Sequence, residues 1–256
     1  MIQQSTQTHA TTTPLVEQQP KLDPLGDSIS SLELVRVSGS DVDIANGARV
    51  SYGKYVTELS KRDVKLINFL MDHNHTSPFE HNQLSFRVKC PMFVARQWMR
   101  HRMHSYNEIS YRYAKAKEEF YIPKKWRTQD KTNKQLSVGG FEDQKLTAQY
   151  QASIDVAMRT YKELLEAGVG REQARGILPV CIYTQFIFTS NLHALMHFMK
   201  LRLDPGAQYE IRVYAQGMLQ LALPHFPVSL AAWKKKFVPE LEINTTIPTL
   251  EETLDL

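Results

Sequence analysis

Residues 84–113 read LSFRVKCPMFVARQWMRHRMHSYNEISYRY, and three local patterns succeed one another along them. Leu84, Phe86 and Val88 alternate with Ser85, Arg87 and Lys89, which is the period of a half-buried strand. Pro91 suits the first turn of a helix, where its missing N–H would have had no partner within the helix. The spacing predicts that helix over PMFVARQWMRHR, with Gln97, Arg100 and His101 on one side of it. From Arg100 to Tyr113 the chain turns polar, with Arg100, Arg102, Arg112, His101, His104, Asn107, Glu108, Ser105 and Ser110 among three tyrosines. Arginine forks match phosphate oxygens bidentately, and hydroxyls and amides bond sugars or base edges. Composition alone favours a charged helix end running into a polar loop.

The same signals extend outward in both directions. Leu32, Leu34, Val35 and Val37 predict a strand, and Ser40 or Asp41 can cap a short helix running towards Tyr52. Ser60 with Asp63 three positions on marks the start of a helix carrying Val64, Ile67, Leu70 and Met71 at helical spacing. Residues 73–81 read as a polar turn broken by Pro78, and residues 127–140 as an exposed loop. A long helix is expected over 146–167, stopped by Gly168, and a short one over 171–178, ended by Pro179. Residues 182–189 are aromatic and β-branched, the composition of a buried strand. Asn191 can cap the helix LHALMHFMKLRL, and another helix is expected over 207–223. Strands and helices therefore mix without regular alternation, which favours an α+β fold over a doubly wound sheet. Residues 1–30, rich in Gln, Thr, Ser and Pro, read as a flexible extension preceding a single domain over 31–256.

The chain's net charge of +4 is unevenly spread. Residues 87–127 hold eleven basic residues against three acidic ones, a local +8, while the rest of the chain is net −4. A cationic segment of this kind recruits phosphates or carboxylates. No apolar run approaches the roughly 20 residues that cross a bilayer. The start of the chain lacks the basic and apolar regions of a secretory signal, so the cytoplasm is the expected compartment and no membrane partner is expected. Cys90 and Cys181 form no C-x-x-C, and neither is placed as an activated thiol: one precedes Pro91 at a strand end and the other lies in an apolar strand.

The polar stretch resembles the RHR-x-x-S-x-N-E-x-S-x-R signature of the flavin-dependent thymidylate synthases (the ThyX family) at all eight fixed positions. These are Arg100, His101, Arg102, Ser105, Asn107, Glu108, Ser110 and Arg112. The resemblance runs from about residue 31 to 224. It includes ARVSY at 48–52, H-x-H-x-S-P-F-E-H at 73–81, FVARQW at 93–98 and EFYIP at 119–123. Further on come A-R-x-x-L-P at 174–179 and N-x-H-x-L-x-H-F-x-x-L-R at 191–202.

The resemblance implies a single α+β domain with a central, largely antiparallel sheet flanked by helices. It implies reductive methylation of dUMP to dTMP, with 5,10-methylenetetrahydrofolate as carbon donor, bound FAD as relay and NADPH as reductant. It implies a homotetramer with active sites where subunits meet. By the same resemblance, Ser77, Arg100, His101, Arg102, Glu108, Asn191, His193 and His197 would hold FAD. Gln97, Arg100, Glu108, Ser110, Arg112 and Arg175 would hold dUMP, and Arg202 would lie beside the uracil and stabilise its N3 anion. Uracil C5 is a poor nucleophile until charge builds in the ring, which a fixed guanidinium favours. His104 occupies a variable position of the signature and has no implied role. His193 stands where some members carry Arg.

Two other readings are weaker. A nucleic-acid module could stack bases on Tyr106, Tyr111 and Tyr113, yet the basic residues do not continue as a stripe, so no nucleic-acid partner is expected. His73, His75 and His81 have spacings that could pass for a metal site, but without a carboxylate pattern such histidines are more often hydrogen-bonded, and no metal is expected. Phe86, Phe93, Trp98, Phe186 and Phe188 are expected in the core, and residues 234–236 as an exposed helix end.

Overall fold

The structure is a computed structural model that describes residues 20–241, together with 247, 248 and 252. Strand β1 (Ser31–Ser38) leads into helices α1 (Asp41–Arg49), α2 (Lys61–Asp72) and the one-turn α3 (Ser77–Glu80). Then follow β2 (Gln83–Pro91), α4 (Met92–Trp98) and β3 (His104–Glu108). A hairpin of β4 (Trp126–Gln129) and β5 (Ser137–Phe141) precedes the long α5 (Gln144–Glu166) and the short α6 (Arg171–Ala174). The chain closes with β6 (Tyr183–Asn191), α7 (Leu192–Arg202), α8 (Tyr209–Ala222) and α9 (Pro227–Phe237).

The main sheet has the order β1-β2-β6-β3 and every pairing is antiparallel. Its alternation works as the sequence predicts. Phe86 pairs with Phe188 and Val88 with Phe186 across β2 and β6, and all four are buried. Phe186 and Phe188 meet Trp98 of α4, which stacks on Phe198 of α7 at 4.9 Å and meets Tyr214 of α8 edge-on at 5.7 Å. Phe93 packs against the same cluster from its margin. The α+β architecture and the antiparallel sheet flanked by helices are therefore as expected.

Local signals fixed most boundaries. The Asp63 carboxylate accepts from the Ser60 backbone N–H at 2.9 Å and from its hydroxyl at 2.6 Å, closing the start of α2. Asn191 Oδ1 accepts from Ala194 N at 2.8 Å and starts α7. Gly168, at φ +85°, ends the last turn after α5, a backbone conformation that side chains with a Cβ resist.

Four expectations need correction. The helix after Pro91 stops at Trp98 rather than Arg102; the Tyr106 hydroxyl donates its one proton towards the carbonyls of His101 (2.8 Å) and Trp98 (3.1 Å), tying the turn to β3. Residues 127–140 form most of the β4–β5 hairpin, not a loop; the Asp130 side chain accepts from Thr132 N and Asn133 N and shapes the turn. Lys236 is not merely solvated: its ammonium donates to the Met71 and Asp72 carbonyls and to Asn74 Oδ1, closing the C-terminus of α2. Residues 20–30 are also no flexible extension. Leu22 exchanges both backbone bonds with Leu32, and Leu22, Asp23 and Ser30 are fully buried. Composition hid this because two leucines, Leu22 and Leu25, do the packing among turn formers. Residues 1–19 lie outside the described residues.

No helix among the described residues is long and apolar enough to cross a membrane. Leu22 packs close to Gly217 of α8, where an added Cβ would sit 3.2 Å from the leucine side chain. Leu22→Ala is therefore expected to cost about 2–4 kcal/mol, as for other buried leucines, read as a lowered urea midpoint. An unchanged midpoint would show that this segment adds nothing to the core.

Candidate functional site

The C-terminal end of β6 and the turn after α4 face each other across a cleft of about 830 Å³. Asn191 ends β6 and caps α7, so His193 and His197, four residues apart, project from one side of that helix, with Arg202 at its end. Arg100, His101 and Arg102 arrive from the opposite side, followed by Met103 and His104 at the start of β3. Seven of the residues expected in the site thus line one cleft: Arg100, His101, Arg102, Asn191, His193, His197 and Arg202.

One contact ties the two walls together. Arg202 Nε donates to His101 Nε2 at 3.0 Å, and Arg202 Nη2 lies 3.4 Å from the Gln97 carbonyl. An imidazole can accept from a guanidinium only through an unprotonated nitrogen. His101 meets that condition: burial first, then the charges of Arg202, His104 and His197, push its pKa down to about 4. Burial also lowers the pKa of Arg202, which still leaves a guanidinium charged at neutral pH. None of Arg100, Arg102 and Arg202 makes an ion pair with a carboxylate among the described residues. The cleft therefore offers cationic forks to an anion from outside the subunit.

His104, given no role by the sequence, lines the same cleft. Its Nδ1 lies 2.8 Å from Ser190 Oγ, whose proton goes to the Asn191 carbonyl at 2.8 Å. Nδ1 must then carry the ring proton, and Nε2 is left an acceptor. Burial and the His197 charge hold its pKa down at about 4. The signal lay in strand parity: His104 and Tyr106 share one face of β3, and Tyr106 is the residue that packs on Phe186 and Phe188.

Other expected residues lie elsewhere. Glu108, at the far end of β3, accepts from Thr184 Oγ1 at 2.5 Å. Arg112 pairs with Glu172 at 3.3 Å on the surface, and Arg175 is exposed in the 3₁₀ turn after α6. Ser110 begins the turn that carries Arg112. With about 3.4 Å per strand residue, Glu108 sits on the order of 13 Å from His104, and Arg112 lies beyond it. Ser77 is exposed at the start of α3 and does not line the cleft, although Glu80 of the same helix does. Gln97 lines an adjoining hollow of about 590 Å³ that shares Leu201 and Arg202 with the cleft; Asn133 and Gln135 of the β4–β5 connection form its other wall. Neither cysteine is suited to attack carbon as a thiolate. Burial, then the Glu108 charge, pushes the Cys90 thiol well up, and burial raises that of Cys181.

An antiparallel α+β core carrying a histidine-lined cationic cleft is suited to hold an anionic ligand. The family model described as "Thymidylate synthase complementing protein" matches residues 33–228. A flavin-dependent thymidylate synthase of Thermus thermophilus is 47% identical over 215 residues, spanning 84% of this chain and 79% of that one. The enzyme of the same name from Thermosipho africanus is 44% identical over 207 residues, spanning 80% and 90%. Among solved structures, the UMP/dUMP methylase PolB from Streptomyces cacaoi, bound with 5-Br dUMP, superposes with a TM-score of 0.76. It is 34% identical and covers 81% of this chain and 96% of its own. The chain belongs to the flavin-dependent thymidylate synthases, and is an enzyme of that family.

The cleft fits the flavin that the family name implies. Its volume lies in the range of cofactor pockets, Arg100 and Arg102 are forks for phosphate oxygens with no ion pair among the described residues, and Met103, Ala194 and Leu201 supply apolar surface.

Neutral His101 is directly measurable. Nitrogen-resolved NMR of the histidines should show His101 protonated on Nδ1 alone at pH 7, titrating near 4; a midpoint near 6.5 would contradict the Arg202 contact. Above about pH 6.5 the folded and unfolded states both hold His101 and His104 neutral. As pH falls from there towards 4, the unfolded state takes up protons that the folded state refuses, so stability should drop across that window.

Proposed function

We propose that this chain methylates dUMP to dTMP, with 5,10-methylenetetrahydrofolate as carbon donor, bound FAD, and NADPH as reductant. A methylene unit becomes a methyl group only with two added electrons, and bound FAD supplies the redox chemistry for that change. The protein's own residues bind, orient and polarise. Arg100, Arg102 and His101, with Asn191, His193, His197, Ser77 and Glu108, hold the flavin. Gln97, Arg100, Glu108, Ser110, Arg112 and Arg175 hold the nucleotide, chiefly its phosphate and sugar.

The observation that carries the reading is the Arg202–His101 contact inside a cleft of signature residues. Arg202 is half-buried, so its charge is less screened than a surface arginine's. Held by a neutral imidazole and a backbone carbonyl, it is oriented in advance to favour negative charge at the uracil N3 as C5 attacks. His101 serves as its acceptor only because it is neutral.

The nucleotide ligands fall into two groups at opposite ends of β3, which favours a homotetramer whose sites combine Arg202 of one subunit with Arg112 and Arg175 of another. Free, buried Cys90 and Cys181 accord with a reducing, cytoplasmic setting.

The purified chain should carry an oxidised-flavin spectrum that bleaches anaerobically with NADPH, and should form dTMP from dUMP and methylenetetrahydrofolate. A colourless chain that FAD cannot reconstitute would overturn the reading. Arg202→Ala should keep its flavin while dTMP formation falls roughly a hundredfold or more, as for removal of other charge-stabilising groups. Loss of flavin with the fold intact would instead make Arg202 a flavin ligand.

A further inference from the structure

The hollow beside Arg202 is governed by a buried carboxylate that no signature position includes. Glu210, in the first turn of α8, is 2% exposed. Its Oε1 accepts from Arg127 Nη2 of β4 at 2.6 Å and from the Tyr121 hydroxyl at 3.0 Å. Its Oε2 accepts from Gln208 Nε2 at 2.8 Å. Gln208 Oε1 in turn accepts from Gln97 Nε2.

Each direction in this chain follows from the one before it. A carboxylate only accepts, so Gln208 must turn its NH₂ towards Glu210 and its carbonyl towards Gln97. Gln97 must then turn its own NH₂ towards Gln208. Gln97 Oε1 is thereby left with no hydrogen-bond partner among the described residues, in the hollow that Arg202 also lines. Burial works against ionisation of Glu210, yet the hydrogen bonds from Arg127 and Gln208 outweigh it and keep its carboxyl below the ordinary range.

We propose that Glu210 is a positioning residue for the nucleotide: through Gln208 it fixes the Gln97 amide with its carbonyl outward, to accept from an N–H or O–H of the bound dUMP. This rests on the reading of Gln97 as a nucleotide ligand. It also gives the β4–β5 hairpin a part in the site, because Arg127 holds Oε1 and so leaves Oε2 to Gln208.

Glu210→Gln tests the relay with an isosteric change. Arg127 and Tyr121 hold the remaining carbonyl in the Oε1 position, so the new NH₂ faces Gln208. Gln208 then reverses, Gln97 reverses after it, and the nucleotide meets a donor where it had met an acceptor. In the flavin-loaded enzyme, dUMP affinity by calorimetry should fall about three- to tenfold, the worth of one neutral hydrogen bond. In a Gln97→Leu background the same change should have no such effect. Equal factors in both backgrounds, or unchanged affinity with Gln97 intact, would overturn the proposal. The nucleotide-free protein gives a second readout. The Gln97 side-chain NH₂ signals should shift in Glu210→Gln, from one bonded proton to none, and unmoved signals would overturn the relay. A wild-type enzyme that fails to bind dUMP would refute the nucleotide reading, while the amide signals would still decide the relay.

Discussion

The site is referred to the backbone of β6. That strand is hydrogen-bonded on both edges, to β2 over its whole length and to β3 over its second half. Its inward face carries Phe186 and Phe188, which seat Trp98 and hold α4 against the sheet. Its last residue, Asn191, starts α7 and sets where His193, His197 and Arg202 emerge. Pairing with β3 fixes the signature in register, placing His104 opposite Ser190 at one end and Glu108 opposite Phe186 at the other. A slip of one residue would turn Tyr106 out of the core and His104 out of the cleft together.

Within that frame the electrostatics are selective. The +8 segment does not act as one patch. Arg87 pairs with Glu33, Lys89 with Glu119 and Arg127 with Glu210, while Lys124 donates to the Gly26 carbonyl. Those residues hold segments together. Arg100 and Arg102 are among those without an ion pair among the described residues, and these two line the cleft. Two imidazoles kept neutral beside them, the buried His101 and the half-buried His104, add hydrogen-bonding capacity without further repulsion, since a protonated His101 would oppose Arg202 and lose its bond to it.

Much of this was legible in the sequence where the cause is local. The Ser60–Asp63 box, the Asn191 cap, the Gly168 stop and the alternation of β2 depend on neighbours within a few residues, and all are found in place. The signature pointed to Arg100, His101 and Arg102 on one wall of the cleft, and the match over 191–202 pointed to the residues of the other. What was hidden depends on distant partners. β3 is an edge strand whose outward positions, Ser105 and Asn107, are exposed and polar, so its pattern resembled a loop. The turn after α4 is tied to β3 by Tyr106 reaching back towards two carbonyls. The packing of Leu22 needs Gly217, and the polarity of Gln97 needs Arg127, Gln208 and Glu210; no short window contains these sets.

The central claim is that the two groups of site residues, one around Arg202 and the other around Arg112, complete each other only between subunits. Complementation between inactive subunits measures this most directly. Arg202→Ala and Arg112→Ala chains, each nearly inactive alone, are to be co-expressed or refolded together and assayed for dTMP formation. Composite sites predict that the hybrids regain a substantial fraction of wild-type activity, because some sites receive an intact Arg202 and an intact Arg112 from different chains. Activity no greater than the sum of the two parents would mean that each subunit carries a whole site, and would contradict the account.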